Sequence, residues 1–197
     1  HRGEILCSTV GQLLNQKYDN YELIVVDQLP NHNPDTYSSI AQLRNNYSNF
    51  LYFSCDFSGL PLARNFGLKI ARGEIILFVD DDITTDENLI LNHVKNYQDN
   101  RVGGVVGRIH ERKPDLAGDR FGKLFGKVGE ITFWGRPIRN FDSGKRRYVK
   151  SVGGGNMSFR KKVISMVGDF DTHFRGNAQF EETDFSYRVR KAGYKII

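Results

Sequence analysis

Short apolar runs alternate with segments of helical periodicity along the first 107 residues, and this alternation restricts the fold more than any other feature. The predicted strands are the apolar runs at residues 21–26, 50–54, 75–79 and 102–106. Between them apolar residues recur at helical spacing, as Leu62, Phe66 and Ile70 do. Continuous apolar strands are typical of parallel sheets that are covered on both faces. The pattern therefore predicts an α/β fold with a mostly parallel, Rossmann-like sheet flanked by helices.

The two ends of the chain indicate a fragment. Helical spacing begins at once, with Ile5, Leu6, Thr9, Val10, Leu13 and Leu14. No initiator methionine precedes them, and residues 194–197 are typical of a strand that is just beginning. A length of 197 residues suits one domain. We therefore expect a single domain over residues 1–197 that is truncated at both ends.

The segment from about residue 108 to residue 150 departs from the periodic pattern. It is rich in Gly, Arg and Lys, and it contains the aromatic residues Phe121, Phe125, Phe133 and Trp134. Long irregular segments within compact domains are often lids or binding loops. The sequence therefore predicts a functional loop in this segment.

Composition excludes several classes of protein. No apolar run approaches the ~20 residues that span a bilayer, and no base-reading or aromatic-stacking motif indicates nucleic-acid binding. The net charge of +5 favours a phosphate-bearing substrate or an anionic membrane surface, and a functionally indifferent basic surface is the equally weighted alternative. Cys7 and Cys55 match no metal spacing and predict no disulfide. We expect a cytoplasmic protein without a nucleic-acid partner, and peripheral association with the inner face of the membrane stays open.

Three consecutive aspartates, Asp80, Asp81 and Asp82, follow the most apolar predicted strand. Adjacent carboxylates repel one another unless a cation or strong donors compensate, and their oxygens suit Mg²⁺ or Mn²⁺ shared with substrate phosphates. In an extended stretch Asp80 and Asp82 point the same way and Asp81 points the opposite way. The alternative is an acidic loop that caps the following helix. Because Asp27 also ends a predicted strand, we expect Asp27 and the triplet at one edge of the sheet.

A second acidic cluster, Glu181-Glu182-Thr183-Asp184, precedes a helix-like stretch. A carboxylate there can act as a general base toward a hydroxyl nucleophile. The alternative, favoured when the cluster is considered alone, is charge complementarity at a helix N-terminus, with Asp184 and Arg188 as an i, i+4 ion pair.

Two weaker features complete the set of candidate residues. Arg64 lies early in the helix before the aspartate-bearing strand, where it can neutralise a diphosphate or form a surface salt bridge. Gly154 and Gly155 precede Asn156 in a run of three glycines, which allows close approach of the backbone to a ligand or a turn. No phosphate-loop context accompanies these glycines.

Taken in order, these segments resemble glycosyltransferase family 2, the inverting enzymes of the GT-A fold. The matching segments are the strand ending at Asp27, residues 59–74 around Ala63-Arg64-Asn65, the strand end Asp80-Asp81-Asp82, and residues 154–160, 167–171 and 181–184. The resemblance covers nearly the whole chain, and the joint order is more specific than any single motif. It implies a nucleotide-binding half over residues 1–107 and an acceptor-side half over residues 108–197.

The resemblance also implies a role for each candidate residue. Asp27, Arg64 and Asp80 are expected to bind the nucleotide, Asp82 the divalent metal, Mg²⁺ or Mn²⁺, and Gly154, Gly155 and Asn156 to face the sugar or acceptor. Glu182 occupies the position of the family's catalytic base, which is commonly Asp, so Glu181 and Asp184 stay open as alternatives. The loop after Asp27 reads Gln28-Leu29-Pro30 where the family often has Asp-Gly-Ser.

The implied reaction is metal-dependent, inverting transfer of a sugar from a nucleotide-diphospho-sugar donor to a hydroxyl of a saccharide or lipid-linked acceptor, as in polysaccharide and cell-envelope synthesis. Because the family's first strand is not found before Glu4, we expect this fragment alone to be weak or inactive. One rival is a sugar-nucleotide nucleotidyltransferase, whose Gly-rich phosphate loop is absent from the sequence. The other is a non-catalytic sugar- or nucleotide-binding domain, which the joint presence of Asp80, Asp82 and Glu182 disfavours.

Overall fold

A computed structural model describes residues 2–29, 31–110, 127–133, 135–176 and 178–197. Phe121, Phe125 and Trp134 of the predicted loop lie outside the described residues. Among the residues that are described, no helix is both long enough and apolar enough to cross a membrane.

The N-terminal part of the fold is a two-stranded parallel sheet covered by two helices. Its elements are α1 (Arg2–Leu14), β1 (Leu23–Asp27), α2 (Pro34–Asn46) and β2 (Phe50–Ser54). Their apolar faces form one cluster, which contains Leu6, Val10, Leu14, Ile40 and Phe50. Helical spacing predicted this face of α1 correctly except for Ile5, which is 48% exposed and lines an open groove beside Asp82.

The described residues contain these further elements: α3 (Leu60–Ile70), β3 (Ile75–Val79), α4 (Leu89–Val94), a 3₁₀ turn (Lys95–Gln98), β4 (Val102–Val106), β5 (Glu130–Ile131), β6 (Pro137–Ile138), β7 (Asn156–Arg160), α5 (Lys161–Val167), α6 (Glu181–Lys191) and β8 (Lys195–Ile196). Within this part of the chain the larger sheet has four strands, in the order β3, β7, β4 and β8. The predicted α/β architecture with flanking helices is confirmed.

Strand β7 is the unexpected member of this sheet. It lies between β3 and β4 and runs antiparallel to both, so β3 and β4 share one direction, and β8 pairs parallel with β4. Met157 and Phe159 of β7 are fully buried. A strand from the second half of the chain therefore completes the sheet built by the first half.

An aromatic core joins β7 to the C-terminal helix. The Phe170 and Phe185 rings are stacked with centroids 4.3 Å apart, and Phe159 meets Phe185 edge-on at 4.8 Å. Asn65 of α3 adds a polar clamp, because its amide donates to the Phe170 carbonyl at 2.8 Å and accepts from the Phe170 N–H at 2.9 Å. These contacts fix the first turn of α6 relative to α3 and the end of β3.

Candidate active site

The aspartate triplet emerges where β3 ends. Asp81 forms an ion pair with Arg2 of α1, with 3.4 Å between Nη2 and Oδ2. Asp80 and Asp82 are exposed, and within the described part of the chain neither carboxylate takes part in a hydrogen bond or a salt bridge. Asp82 lines a groove against α1 together with Glu4 and Ser8. The triplet therefore divides into one carboxylate tied to α1 and two that are open to a ligand.

The two glycines before β7 make room for the charged side chains of the site. A Cβ atom on Gly155 would stand 2.5 Å from Oδ2 of Asp80, and one on Gly154 would stand 2.9 Å from Nη2 of Arg64. Arg64 also donates a hydrogen bond to the Gly154 carbonyl at 3.2 Å. A side chain at either position would therefore force a charged side chain from β3 or α3 to move.

Arg64 is buried in the interior and forms an ion pair with Glu181, the first residue of α6. Its guanidinium carbon lies 5.2 Å from the Phe170 ring centroid and 5.9 Å from that of Phe78. Although Asp80 is exposed as a residue, its carboxylate packs against Gly155 on one side, and this partial desolvation is the main cause that raises its pKa. The charges of Asp82, Asp81 and Glu181 raise the pKa further, and Arg64 lowers it without reversing the shift. Arg64 thus links the triplet electrostatically to the second acidic cluster.

Glu182 follows Glu181 in the first turn of α6 and is also buried. Burial, a hydrogen bond with Glu181 and the charge of Glu181 raise the pKa of Glu182 to about 8, although Arg139 opposes the shift. Arg139 stands 3.9 Å from Oε1 of Glu182. A carboxyl group that changes protonation near neutral pH suits acid–base chemistry.

The first turn of α6 has a strained entry. Its N-cap residue, Phe180, has φ of 74° and provides no side-chain cap. This backbone conformation is uncommon for residues other than glycine.

Asp184, in the first turn of α6, forms the i, i+4 ion pair with Arg188 that the sequence suggested, at 2.9 Å. Arg188 also donates to the Val167 carbonyl at 2.9 Å. Asp184 therefore has a structural partner, whereas Glu182 interacts electrostatically with Glu181.

Asp27 ends β1 as predicted, but its contacts are separate from those of Asp80 and Glu182. Its buried carboxylate accepts hydrogen bonds from the Leu29 N–H at 2.9 Å and the Tyr52 hydroxyl at 2.7 Å, and it lies 2.5 Å from Nε2 of His32. Burial raises the pKa of Asp27, but these hydrogen bonds and the His32 charge outweigh burial and lower it. Among the described residues, no hydrogen bond or ion pair joins Asp27 to Asp80 or Glu182.

Three residues around these sites were not predicted from the sequence. They are His32 and Tyr52 beside Asp27, and Arg139 beside Glu182. Tyr52 pairs with Val25 in the β1–β2 register, so strand pairing alone places it diagonally across from Asp27. His32 and Arg139 lie on loops, where no periodicity indicates their partners.

The amide of Asn156 serves β7 and its neighbours. Its Oδ1 is 2.8 Å from Nε2 of His93, and its Nδ2 donates to the Arg108 carbonyl at 3.2 Å. His93 continues through its other nitrogen to Ser158 at 2.8 Å, and Ser158 meets the Tyr97 hydroxyl at 2.7 Å. Burial lowers the pKa of His93, and the neutral ring fits this chain as donor to Asn156 and acceptor from Ser158.

The candidate donors for a metal are the carboxylates of Asp80 and Asp82. The described residues contain no cluster of three or more His, Cys, Asp and Glu side chains that could hold a metal ion. Asp80 and Asp82 are nevertheless exposed and unpaired hard oxygen donors, which is the chemistry that Mg²⁺ and Mn²⁺ select. Magnesium-type sites commonly take one or two carboxylates and complete their coordination with substrate phosphates and water. The open carboxylates therefore fit a divalent metal shared with a diphosphate.

Comparison with known proteins gives consistent matches. The family model described as glycosyl transferase family 2 matches residues 1–168. A glucosyl-dolichyl phosphate glucuronosyltransferase of Haloferax volcanii is 26% identical, over 87% of this chain and 53% of its own length. The poly(ribitol-phosphate) β-N-acetylglucosaminyltransferase TarP of Staphylococcus aureus is 30% identical, over 55% of this chain and 33% of its own length.

A solved structure has the same architecture. The mannosyltransferase PcManGT from Pyrobaculum calidifontis, in complex with GDP-Man and Mn²⁺, superposes with a TM-score of 0.68 and 17% identity, over 99% of this chain and 50% of that chain. The chain spans about half the length of this mannosyltransferase and of the Haloferax relative.

Proposed function

The chain belongs to glycosyl transferase family 2 and has the GT-A fold, and on this premise we propose that it carries out metal-dependent, inverting sugar transfer. The donor is a nucleotide-diphospho-sugar and the acceptor is a hydroxyl of a saccharide or lipid-linked molecule. The relatives support this choice of acceptor, because their names include glucosyl-dolichyl phosphate and poly(ribitol-phosphate). Such an acceptor also favours action at the cytoplasmic face of a membrane.

One observation carries the proposal: open carboxylates at the end of β3 are linked through Arg64 to a buried carboxyl pair at the start of α6. Gly155 packs on Asp80, Gly154 accepts a hydrogen bond from Arg64, and Arg64 pairs with Glu181. Glu182 is the next residue. A candidate donor-side anionic site and a candidate base therefore lie on either side of the same arginine, which favours a displacement between two bound substrates.

In this proposal Asp82 holds the divalent metal, and Asp80 holds the nucleotide beside it. When bound, a metal at Asp82 supplies Lewis-acid stabilisation of the negative charge that grows on the departing diphosphate. The structural role of Asp81 differs, because its carboxylate faces Arg2.

Asp27 stays our prediction for the contact with the base or ribose of the nucleotide. An ionised carboxylate offers about four lone-pair sites, and the groups from Leu29, His32 and Tyr52 occupy three of them. Asp27 can therefore accept about one more hydrogen bond from a ligand while it holds the loop after β1 in place.

Glu182 acts as the general base in a single displacement. The acceptor oxygen forms a bond to the anomeric carbon of the donor sugar as the bond from that carbon to the diphosphate oxygen breaks. The electron pair leaves on the diphosphate, and the acceptor hydroxyl proton passes to a carboxylate oxygen of Glu182. Because no protein group bonds to the sugar, one displacement inverts the anomeric configuration. As the family resemblance implies, we propose that Gly154, Gly155 and Asn156 face the sugar or the acceptor.

The intact protein, supplied with Mn²⁺ and a panel of UDP-, GDP- and dTDP-sugars with saccharide and lipid-linked acceptors, is expected to release the nucleoside diphosphate. Proton NMR of the glycoside should show the anomeric configuration opposite to that of the donor. A product with retained configuration would contradict the single displacement. Formation of nucleoside triphosphate from the sugar nucleotide and pyrophosphate would instead identify the nucleotidyltransferase.

Gly155→Ala is expected to weaken nucleotide binding while leaving the fold nearly as stable. The added Cβ would stand 2.5 Å from Oδ2 of Asp80, and the flexible carboxylate rather than the backbone must move. We expect the affinity for the nucleoside diphosphate with Mn²⁺, measured by calorimetry, to fall by about tenfold, which is ~1.4 kcal/mol.

Gly11→Ala is the matched control for this substitution, because a Cβ at Gly11 meets nothing within 4 Å. Its affinity should equal that of the wild-type protein. An unchanged affinity in Gly155→Ala would show that the position of the Asp80 carboxylate does not matter for the nucleotide.

A further inference from the structure

Glu181 and Glu182 are adjacent buried carboxyl groups, but the positive charges around them are distributed unequally. Their side chains are 3% and 8% exposed. Arg64, equally buried, forms a direct ion pair with Glu181. Arg139 reaches Glu182 only at 3.9 Å, from a side chain that is 47% exposed. Since water screens exposed charges far more than buried ones, the positive charge of Arg64 stabilises an ionised Glu181 more strongly than Arg139 stabilises an ionised Glu182.

Arg64 cannot shift from one carboxyl group to the other without losing its other contacts. Its guanidinium donates to the Gly154 carbonyl and lies near the faces of Phe78 and Phe170. A Cβ at Gly154 would meet it at 2.9 Å, so the backbone is packed against it as well. The cation is therefore held at Glu181 by contacts from α3, β3 and the segment before β7.

Two carboxylates in contact away from water do not both ionise readily, and the pair retains one proton that the two groups share. Because the fixed cation stabilises the negative charge on Glu181, the proton belongs on Glu182. A protonated Glu182 can donate a hydrogen bond to Glu181, and such a bond is one of the causes of its raised pKa.

We propose that Arg64 and Glu181 are positioning residues that keep one negative charge on Glu181, so that Glu182 holds a proton in the resting protein and becomes a base only after losing it to solvent. The inference rests on the proposed function only where it makes Glu182 the acceptor of the substrate proton. Arg64 then acts through Glu181, and not through direct contact with the donor diphosphate.

The consequence for pH follows from the groups that face Glu182. These are Glu181 on its own helix and Arg139 from the loop after β6, while Arg64 from α3 and Asp80 at the end of β3 act on Glu181. Burial first, and Glu181 next, raise the pKa of Glu182, so this carboxyl is protonated below its raised pKa and ionised above it. A base must be ionised to accept a proton. Transfer is therefore expected to increase as pH rises through this pKa and to level off above it.

The direct test is a carbon-13 NMR titration of the glutamate side-chain carboxyl groups in the intact protein, with the Glu182 signal assigned from its loss in Glu182→Gln. In the wild-type protein the Glu182 carboxyl is expected to titrate at its raised pKa of about 8. Titration of Glu182 at the ordinary pKa of glutamate would overturn the proposal. Titration of Glu181 in place of Glu182 would also overturn it. Neither outcome depends on a variant at Glu181 or Arg64.

Glu181→Gln removes the neighbouring charge but keeps an oxygen that can accept from Arg64. The pKa of Glu182 is expected to fall by one unit or more, and the pH profile of transfer should move toward acid by the same amount. Arg64→Lys keeps the cation and should leave the pKa of Glu182 raised. Asp184→Asn is the matched control, because it removes a charge from the same helical turn that is already paired with Arg188, and it should shift this pKa by less than half a unit.

The two measurements separate the two proposals. An unmoved pKa of Glu182 in Glu181→Gln overturns the positioning role of Arg64 and Glu181. If this pKa moves as expected while the pH profile of transfer does not follow it, the positioning role stands and Glu182 is not the base.

Discussion

Glu182→Gln is expected to reduce the rate of sugar transfer by ~10²–10⁴-fold, the usual contribution of a general base, while donor affinity changes little. The amide has the size and the hydrogen-bonding donor of a protonated carboxyl group, so its contact with Glu181 can persist. The amide of the glutamine cannot take up the proton of the substrate hydroxyl at any pH. The transfer rate is measured as the release of nucleoside diphosphate at a saturating acceptor concentration. The donor-site affinity is measured by calorimetry with the nucleoside diphosphate and Mn²⁺.

Glu87→Gln is a suitable control for this loss, because Glu87 forms an exposed ion pair with Lys17 and lies outside the proposed site. Its transfer rate should match that of the wild-type protein. A Glu182→Gln protein that loses donor affinity instead of rate would move Glu182 from the acceptor side to the donor side. Retained transfer in Glu182→Gln, with loss in Glu181→Gln or Asp184→Asn, would assign the base to one of those residues.

Asp82→Ala should abolish the effect of the metal on nucleotide binding. Asp82 has an exposed carboxylate without a hydrogen-bond or ion-pair partner among the described residues, so its removal deletes a ligand and disrupts no internal contact. We expect titrations of UDP, GDP and dTDP to identify one nucleotide that binds at least ~10-fold more tightly with Mn²⁺ than without it. In Asp82→Ala the two affinities should become equal, since a bound divalent ion offsets the diphosphate charge.

Asp81→Asn tests whether the loss of any carboxylate of the triplet would abolish the effect of Mn²⁺ on nucleotide binding. It removes the neighbouring carboxylate and its exposed ion pair with Arg2, a contact worth about 0–1 kcal/mol. The enhancement by Mn²⁺ should persist in this variant. Metal-independent binding in the wild-type protein that is unchanged in Asp82→Ala would refute the assignment of the metal to Asp82.

Much of the fold was predictable because several strands each consist of a single apolar run, whose ends are clear in the sequence. The runs at 50–54, 75–79 and 102–106 coincide with β2, β3 and β4. The position of β7 was not predictable in this way, since its pairing with β3 joins Ile75 to Arg160, and no local pattern encodes the order or direction of strands that lie so far apart in sequence.

The candidate site shows the same division between local and distant information. The Asp184–Arg188 ion pair follows from helical spacing and is present. Arg64 and Glu181 are separated by 117 positions, so their pairing, and the reason for glycine at positions 154 and 155, appeared only with the three-dimensional arrangement. The sequence therefore indicated the local ion pair within α6, but not which distant charged residues are neighbours.

The antiparallel strand β7 has a consequence for the order in which the protein can acquire its structure. During synthesis, β3 and β4 emerge long before residues 156–160, yet each of them pairs with β7. Contacts between distant segments form late, because the intervening chain must first lose conformational freedom. Until β7 arrives, the strand that precedes the aspartates lacks its neighbour in the sheet, the aromatic core lacks Phe159, and Asp80 has no glycine to pack against. We therefore expect the carboxylates at the end of β3 to reach their final setting only late in folding, together with the helix that bears the proposed base.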